Sequence, residues 1–278
     1  MRRNAHYQEA AAAALSGQVT VDLSAISDNV KALKQRTEAP FFMAVVKGNA
    51  YGHGLVEVAQ TAADAGADWL GTAQLTEAIA LRKAGITLPI LSWLYLASQT
   101  SATILEALEN DIDVSLGSVG QLEVLAGIAG RLGRPAVVHL ELDSGLSRGG
   151  ARKEDWAELV AHARQAEIDG TLRVRGLWTH LAWADVPAHP GNAAAVAEFE
   201  DAVREARDAG LTPELRHVSS SANILDRPEF HFDMVRRAGN LWPRSGGPPQ
   251  PGGLRAAPGA ERDCAAGHGE KGPSGHRG

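Results

Sequence analysis

Short apolar runs alternate with amphipathic segments from about residue 21 to residue 236. Short runs of this kind predict buried strands, whereas apolar residues spaced three and four apart predict helices. The runs predict eight strands, over 42–47, 69–73, 89–94, 113–117, 136–143, 174–182, 215–220 and 232–236. The chain therefore has the pattern of an alternating α/β protein.

Helical segments separate most of these strands, and several end in Gly, as helices commonly do. The clearest cover 75–85, 101–110, 120–132, 154–166 and 195–210. Near the start, a strand-like Val21–Leu23 precedes a helix for which Ser24 is the predicted N-cap. Eight βα units predict a (β/α)8 barrel of TIM type. An open doubly wound sheet is the alternative, because a sequence does not show strand order.

The ends of the chain differ from this pattern. Residues 1–20 have few large apolar side chains, and we predict a flexible N-terminus there. Residues 239–278 are rich in Gly and Pro, and a segment of this composition buries too little surface to offset its ordering entropy. We therefore predict a barrel over 21–238 followed by a disordered tail.

Composition narrows the class of protein. The chain has 278 residues, 44% of them hydrophobic, with a formal net charge of −6. This charge argues against nucleic-acid binding, and no apolar run reaches the length of a membrane span. One cysteine, Cys264, excludes an internal disulfide framework and fits a reducing compartment. With no signal peptide recognised, we expect a cytoplasmic protein without a membrane partner or a metal site.

The strongest chemical signal is the string AVVKGNAYGHG at 44–54. Lys47 ends the first predicted strand, and the active sites of these barrels lie at the C-terminal strand ends. A lysine there becomes a nucleophile if its surroundings lower its pKa, although a lone lysine at a strand end is most often a solvated charge. Tyr51 follows four residues later, within reach of a phosphate held beside the same loop. The residues alone leave two interpretations of Lys47 open, a solvated charge and a nucleophile beside an anion site.

This string resembles, almost letter for letter, the cofactor-lysine signature of bacterial alanine racemases. The resemblance extends over about 21–236 and recurs in HLELDSGLSRGG (139–150), WTHLAWAD (178–185), HVSSSANIL (217–225) and FDMVR (232–236). It implies the barrel domain of that family, which uses pyridoxal 5'-phosphate to interconvert L- and D-alanine and so supplies D-alanine for peptidoglycan.

The resemblance also implies roles for single residues. Lys47 would hold the cofactor through a Schiff base and serve as one of two catalytic bases. Five further residues would bind the cofactor: Tyr51 and Ser221 at its phosphate, His180 against its ring, Arg148 at its phenolic oxygen and Arg236 at its pyridine nitrogen.

Each of these residues also has an ordinary structural interpretation. His180 could be a satisfied core histidine, and Ser219–Ser221 could cap a helix. Arg148 could pair with Asp143 or Glu141 without any chemical role.

The sequence departs from the family in three places. Glu141 stands where many members carry a lysine modified to a carbamate, and we predict that it orients Arg148 by a charge-assisted hydrogen bond. The register of Arg236 against Arg237 stays open, because the match stops at this point. After about residue 238 nothing resembles the family's second, mostly β domain, which supplies the opposing tyrosine across a homodimer. We expect a truncated or frameshifted chain that lacks this domain, racemises poorly and is doubtful as a dimer.

Two other functions remain open from the sequence. One is a different enzyme on the same barrel, similar to serine racemases or amino-acid decarboxylases. The other is a non-catalytic module that binds the cofactor without turnover.

Overall fold

The computed structural model describes residues 20–94, 101–221 and 223–237. Within these ranges eight strands form one sheet, and each matches a predicted strand. They are β1 (Phe41–Val45), β2 (Trp69–Gln74), β3 (Ile90–Leu94), β4 (Ile112–Leu116), β5 (Ala136–Leu142), β6 (Leu172–Thr179), β7 (Leu215–His217) and β8 (Met234–Arg237).

All hydrogen-bonded neighbours in this sheet are parallel, and they follow one another in the order β7-β6-β5-β4-β3-β2-β1-β8. The two ends of the order then meet. The amide of Asp233 donates to the carbonyl of Arg216, and the amide of Arg236 donates to the carbonyl of Ser219, both at 3.1 Å. The sheet thereby curls into a nearly closed TIM-type (β/α)8 barrel, which confirms the predicted fold over the doubly wound alternative.

Helices follow the strands and cover the outside of the sheet. The longer ones are α1 (Leu23–Lys34), α2 (Leu55–Asp64), α3 (Leu75–Lys83), α4 (Ser101–Glu109), α5 (Val119–Leu132), α6 (Lys153–Ile168) and α7 (Pro190–Asp208). A single turn, α8 (Asn223–Asp226), and a 3₁₀ turn (Pro228–Phe230) lie between β7 and β8. Because helices cover one face and the interior fills the other, strands such as β1 and β4 are buried on both faces.

The predicted start of α1 is wrong. No strand forms at Val21–Leu23, and the helix begins at Leu23 with Asp22 as its N-cap. The carboxylate of Asp22 accepts hydrogen bonds from the amides of Ser24 at 2.9 Å and Ala25 at 3.2 Å. Aspartate caps a helix as well as serine does, and its side chain here takes the role that was predicted for Ser24.

The barrel interior is packed with side chains. Its hydrophobic cluster contains Met43, Val45, Trp69, Leu91, Leu215 and Met234, and Tyr51 and Trp93 pack against it. Trp69, Leu215 and Met234 are the first residues of their strands and Val45 is the last residue of β1, so the cluster extends along the depth of the barrel.

One irregularity interrupts the pairing of β5 with β6. Val138 pairs with Val174, but His139 pairs with Gly176, so Arg175 is an extra residue in β6. A bulge of this kind re-aims the side chain it carries. The guanidinium of Arg175 accordingly reaches the buried carboxylate of Asp113 at 2.7 Å.

Some sequence predictions concern residues that the structure does not describe. The predicted flexible N-terminus, apart from residue 20, and the predicted disordered tail with Cys264 lie outside the described ranges. In the described part of the chain, no helix is both long and apolar enough to cross a membrane.

Candidate active site

A small pocket opens at the C-terminal ends of the barrel strands. It encloses about 130 Å³. Its lining comes from several strands and the segments that follow them: Val45, Lys47, Trp93, Arg148, Trp178, His180, Ser220 and Arg236. The lining combines three cationic side chains with two indole rings, which suits a flat, anionic ligand.

Lys47 enters this pocket just after β1, where the chain makes an unusual turn. Residues 48–51 all have left-handed backbone angles, with φ between 52° and 63°. Such angles cost about 1–2 kcal/mol for each residue with a side chain, and Gly48 and Asn49 are the types that tolerate them best. The turn ends when the side-chain oxygen of Asn49 accepts the amide of Leu55 at 2.8 Å, at the start of α2.

Glu77 anchors the other side of this turn. One carboxylate oxygen accepts the amide of Gly48 at 2.6 Å. The other accepts the amides of Ala73 and Gln74 at 3.0 and 3.1 Å, which caps α3. Glu77 therefore ties the residue after Lys47 to β2 and α3, and the sequence analysis did not identify it.

The surroundings of Lys47 favour its neutral amine. Burial lowers the pKa of Lys47, and the positive charge of Arg148 lowers it further, while Glu77 opposes both. The amine lies 5.8 Å from the centre of the Trp93 ring. A lysine with a lowered pKa is a better nucleophile and base near neutral pH.

Arg236 is held rigidly in the barrel interior. One terminal nitrogen contacts Nδ1 and the carbonyl oxygen of His217, both at 2.8 Å, and the other donates to the carbonyl of Thr179 at 2.9 Å. Its guanidinium lies 4.7 Å from the centre of the Trp178 ring. Burial lowers its pKa to about 9, so it remains a cation at neutral pH.

This placement settles the register that the sequence left open. Arg236 lines the pocket, whereas Arg237 donates to the carbonyl of Ser221 at 2.5 Å. Successive residues of a strand point to opposite faces, so only one of the two can enter the barrel.

The pKa values of His180 and Glu141, which lie near these cations, are strongly shifted. Burial lowers the pKa of His180 to about 3, and Arg236, Arg148 and Lys47 act in the same direction. Burial raises the pKa of Glu141 to about 7, although Arg236 and Arg148 counteract it. Within the described residues no hydrogen bond joins Glu141 to Arg148, so the predicted hydrogen bond is not formed and the two interact only through space.

Comparisons with known proteins give these residues a family context. The profile described as alanine racemase, N-terminal domain, matches residues 21–239. The chain belongs to this family.

Relatives at high identity carry the same name. The chain is 45% identical over 219 residues to an alanine racemase of Salinispora tropica and 44% identical over 229 residues to one of Streptomyces coelicolor. These matches cover 79% and 81% of this chain. A solved alanine racemase of Streptomyces lavendulae is 44% identical, with a TM-score of 0.76 over 78% of this chain. The chain spans 58% of the length of the two curated relatives and 56% of the solved chain.

Most of the residues that the alanine racemase resemblance singled out come together. Lys47, Arg148, His180 and Arg236 line one pocket although they are far apart in sequence. Tyr51 lies in the left-handed turn and packs on the cluster beneath it. Among the described residues Ser220, and not Ser221, lines the pocket. The roles assigned to all of these residues stay predictions.

The sequence analysis missed Trp93, Trp178 and Ser220. Each of them lies near the end of a predicted strand, and this position could have marked it as a site residue. A tryptophan in an apolar run, however, looks the same as a core residue in the sequence.

Proposed function

We propose that this barrel binds pyridoxal 5'-phosphate through Lys47 and takes part in the interconversion of L- and D-alanine. The observation that carries the proposal is the position of Lys47. Its half-buried amine has a lowered pKa and shares a pocket with two arginines and two indole rings. The family assignment then selects this cofactor among the anionic ligands that such a pocket could take.

The residues present fit this cofactor. Its phosphate and phenolic oxygen are anionic, and the pocket is lined by the guanidinium groups of Arg148 and Arg236 beside the amine of Lys47. The two indole rings of the lining, Trp93 and Trp178, add flat apolar surface beside these side chains. The lining therefore fits a flat, anionic cofactor.

Each side chain has a proposed part in holding the cofactor. Tyr51 and Ser221 would bind its phosphate, with Ser220 in the lining of the same pocket. Arg148 would donate to its phenolic oxygen, and Glu141 would support Arg148 through space. His180 would pack against its ring. Arg236 would face its pyridine nitrogen, and because a guanidinium does not readily give up its proton, Arg236 would leave this nitrogen unprotonated.

The cofactor, when bound, withdraws electrons from the bond between Cα and hydrogen of the amino acid. Lys47 then takes up the proton on its side of Cα and returns it. Racemisation also needs a proton donor on the opposite side. In the described lining, burial lowers the pKa of His180 to about 3, so His180 is a neutral imidazole at pH 7, and guanidinium groups do not readily give up a proton. We therefore expect the chain to bind the cofactor and to racemise alanine slowly by itself.

An absorbance titration with pyridoxal 5'-phosphate tests the proposal. The chain should develop the visible band of a protonated imine, and borohydride should remove it. Lys47→Ala should show no such band. Lys83→Ala is the matched control, since Lys83 is exposed and paired with Glu106, and its spectrum should equal that of the unaltered chain.

A D-alanine assay on the same samples then tests the reaction. An imine band without turnover would support a binding module instead of an enzyme. An unchanged band in Lys47→Ala would contradict the proposed site.

A further inference from the structure

A chain of buried polar side chains runs from the pocket into the barrel. Nδ1 of His217 contacts Arg236 at 2.8 Å, and Nε2 of His217 contacts Nδ1 of His139 at 2.8 Å. Nε2 of His139 lies 3.2 Å from Oδ2 of Asp113. The same oxygen accepts a hydrogen bond from Arg175 at 2.7 Å. Asp113 is the second residue of β4, so the chain ends near the N-terminal side of the barrel, away from the pocket.

Because the side chains of this hydrogen-bond chain are buried, losing any contact between them would cost stability. His139 and His217 have no solvent exposure, and Asp113 is 3% exposed. An unsatisfied polar group at such a depth costs about 1–3 kcal/mol. Trp178 stacks flat on His217, with an interplanar angle of 5°, and Trp69 meets His139 edge-on. The rings therefore cannot turn to find other partners without disturbing the indole rings around them.

The two ends dictate where each proton lies. An arginine only donates, so Nδ1 of His217 must accept and the proton of His217 is on Nε2. That proton points at Nδ1 of His139, which must also accept, so His139 carries its proton on Nε2. This last proton meets Oδ2 of Asp113, a carboxylate oxygen that accepts. All the donors in the chain point in one direction, from Arg236 to Asp113.

We propose that Asp113 is the terminal acceptor of an oriented hydrogen-bond chain through His139 and His217 that positions Arg236 in the pocket. Asp113, His139 and His217 act on Arg236 and do not touch a ligand, so they are positioning residues. Arg175 donates to the same oxygen of Asp113 at the far end, and the bulge in β6 is the feature that brings it there. The claim that a fixed Arg236 benefits the reaction rests on the proposed function. The hydrogen-bond chain itself does not depend on that function.

Nuclear magnetic resonance of the 15N-histidine-labelled protein, without added cofactor, tests the direction of the chain. We expect a one-bond proton on Nε2 of both His217 and His139, and a coupling between Nε2 of His217 and Nδ1 of His139 across their hydrogen bond. His231 is an internal reference, because its Nδ1 accepts from the amide of Glu38 and its Nε2 faces the carbonyl of Ile224. A proton on Nδ1 of His139 would overturn the proposal, and this measurement needs no variant.

Variants then test the role of Asp113. Asp113→Leu should speed solvent exchange of the His139 ring proton by about ten-fold or more and should blur the separate guanidinium resonances of Arg236. Asp113→Asn keeps an oxygen that accepts in the same place and should restore both signals.

A matched control separates positioning from general stability. Asp68 is a carboxylate of the same barrel that pairs with Lys34 and accepts the amide of Phe42. Asp68→Leu should lower stability and leave the Arg236 and His139 signals unchanged. Unchanged Arg236 resonances in Asp113→Leu, or equal changes in Asp68→Leu, would show that Asp113 has only a structural part.

Discussion

At the scale of single residues, the pocket is a balance of charges around Lys47. Arg148 and burial lower the pKa of Lys47, and Glu77 is the residue that raises it. Glu77 also accepts the amide of Gly48, so one carboxylate both places and tunes the lysine. Sequence reasoning identified Lys47 from its motif but could not identify Glu77, because 30 positions of sequence separate the two and only the fold brings them together.

Removing the charge of Glu77 should make Lys47 less basic. In Glu77→Gln the pKa of Lys47 should fall further, because the only resolved influence that raises it is lost. The pH dependence of Lys47 labelling by a small amine-reactive reagent, followed by mass spectrometry, measures this pKa. Glu57→Gln, an exposed position on α2, is the control and should leave the labelling curve unchanged. A pKa that rises in Glu77→Gln would contradict the electrostatic account.

Glu141 should make stability depend on pH. Its carboxyl ionises near pH 4.5 in the unfolded chain but only near pH 7 in the barrel, because burial disfavours its charge. The unfolded chain therefore loses this proton first, and stability falls as pH rises from about 4.5 to 7. Glu141→Gln lacks this loss, so the variant should match the unaltered chain at pH 4 and exceed it by up to about 3 kcal/mol at pH 8.

Urea unfolding of both proteins at the two pH values measures this difference. Equal stabilities at pH 8 would show that Glu141 is not buried as described. A gain in stability together with a loss of cofactor affinity would indicate that the carboxylate is kept for its action on Arg148.

At the scale of elements, periodicity predicted all eight strands among the described residues, because a strand buried on both faces is a short apolar run bounded by turn residues. It failed at the start of α1, where Asp22 caps the helix instead of the predicted Ser24. It also could not predict the left-handed turn at 48–51, since Ala50 and Tyr51 have no intrinsic preference for positive φ. That turn depends on the hydrogen bonds of Glu77 and Asn49, which only the folded chain provides.

β5 and β6 pair closely at Gly176 because glycine has no side chain. A Cβ there would lie 2.3 Å from Nδ1 of His139, the atom that accepts the proton of His217. Gly176→Ala should therefore displace His139 and destabilise the protein by about 1–3 kcal/mol through overpacking.

Gly127→Ala is the matched control for this substitution. Its Cβ would meet nothing nearer than 3.9 Å, and the residue lies inside α5, where alanine is favoured over glycine by about 0.5–1 kcal/mol. Thermal unfolding of the two variants should shift in opposite directions. An unaltered melting temperature in Gly176→Ala would mean that His139 is not packed against β6.

At the scale of the whole molecule, closing the barrel creates the site. Lys47, Arg148, His180 and Arg236 come from four strands or the segments after them, and each was predictable only through its own local motif. The connection from Arg236 to Asp113 was not predictable in this way: His139 and His217 begin two of the resembling segments, but the sequence linked them neither to each other nor to Asp113. Its members belong to four different strands or strand ends, and an isolated histidine in an apolar run looks like any core residue. The sequence therefore predicted the fold and the residues that belong to motifs. It did not predict the buried polar network that supports Arg236.

The central claim is that Lys47 is the amine that bonds to pyridoxal 5'-phosphate. The most direct test is to incubate the unaltered protein with the cofactor, reduce it with borohydride, digest it and locate the modified lysine by mass spectrometry. The account predicts a stoichiometric phosphopyridoxyl group on the peptide that contains Lys47, and only trace modification at exposed lysines such as Lys83. A modification spread over the exposed lysines, with Lys47 unaltered, would contradict it.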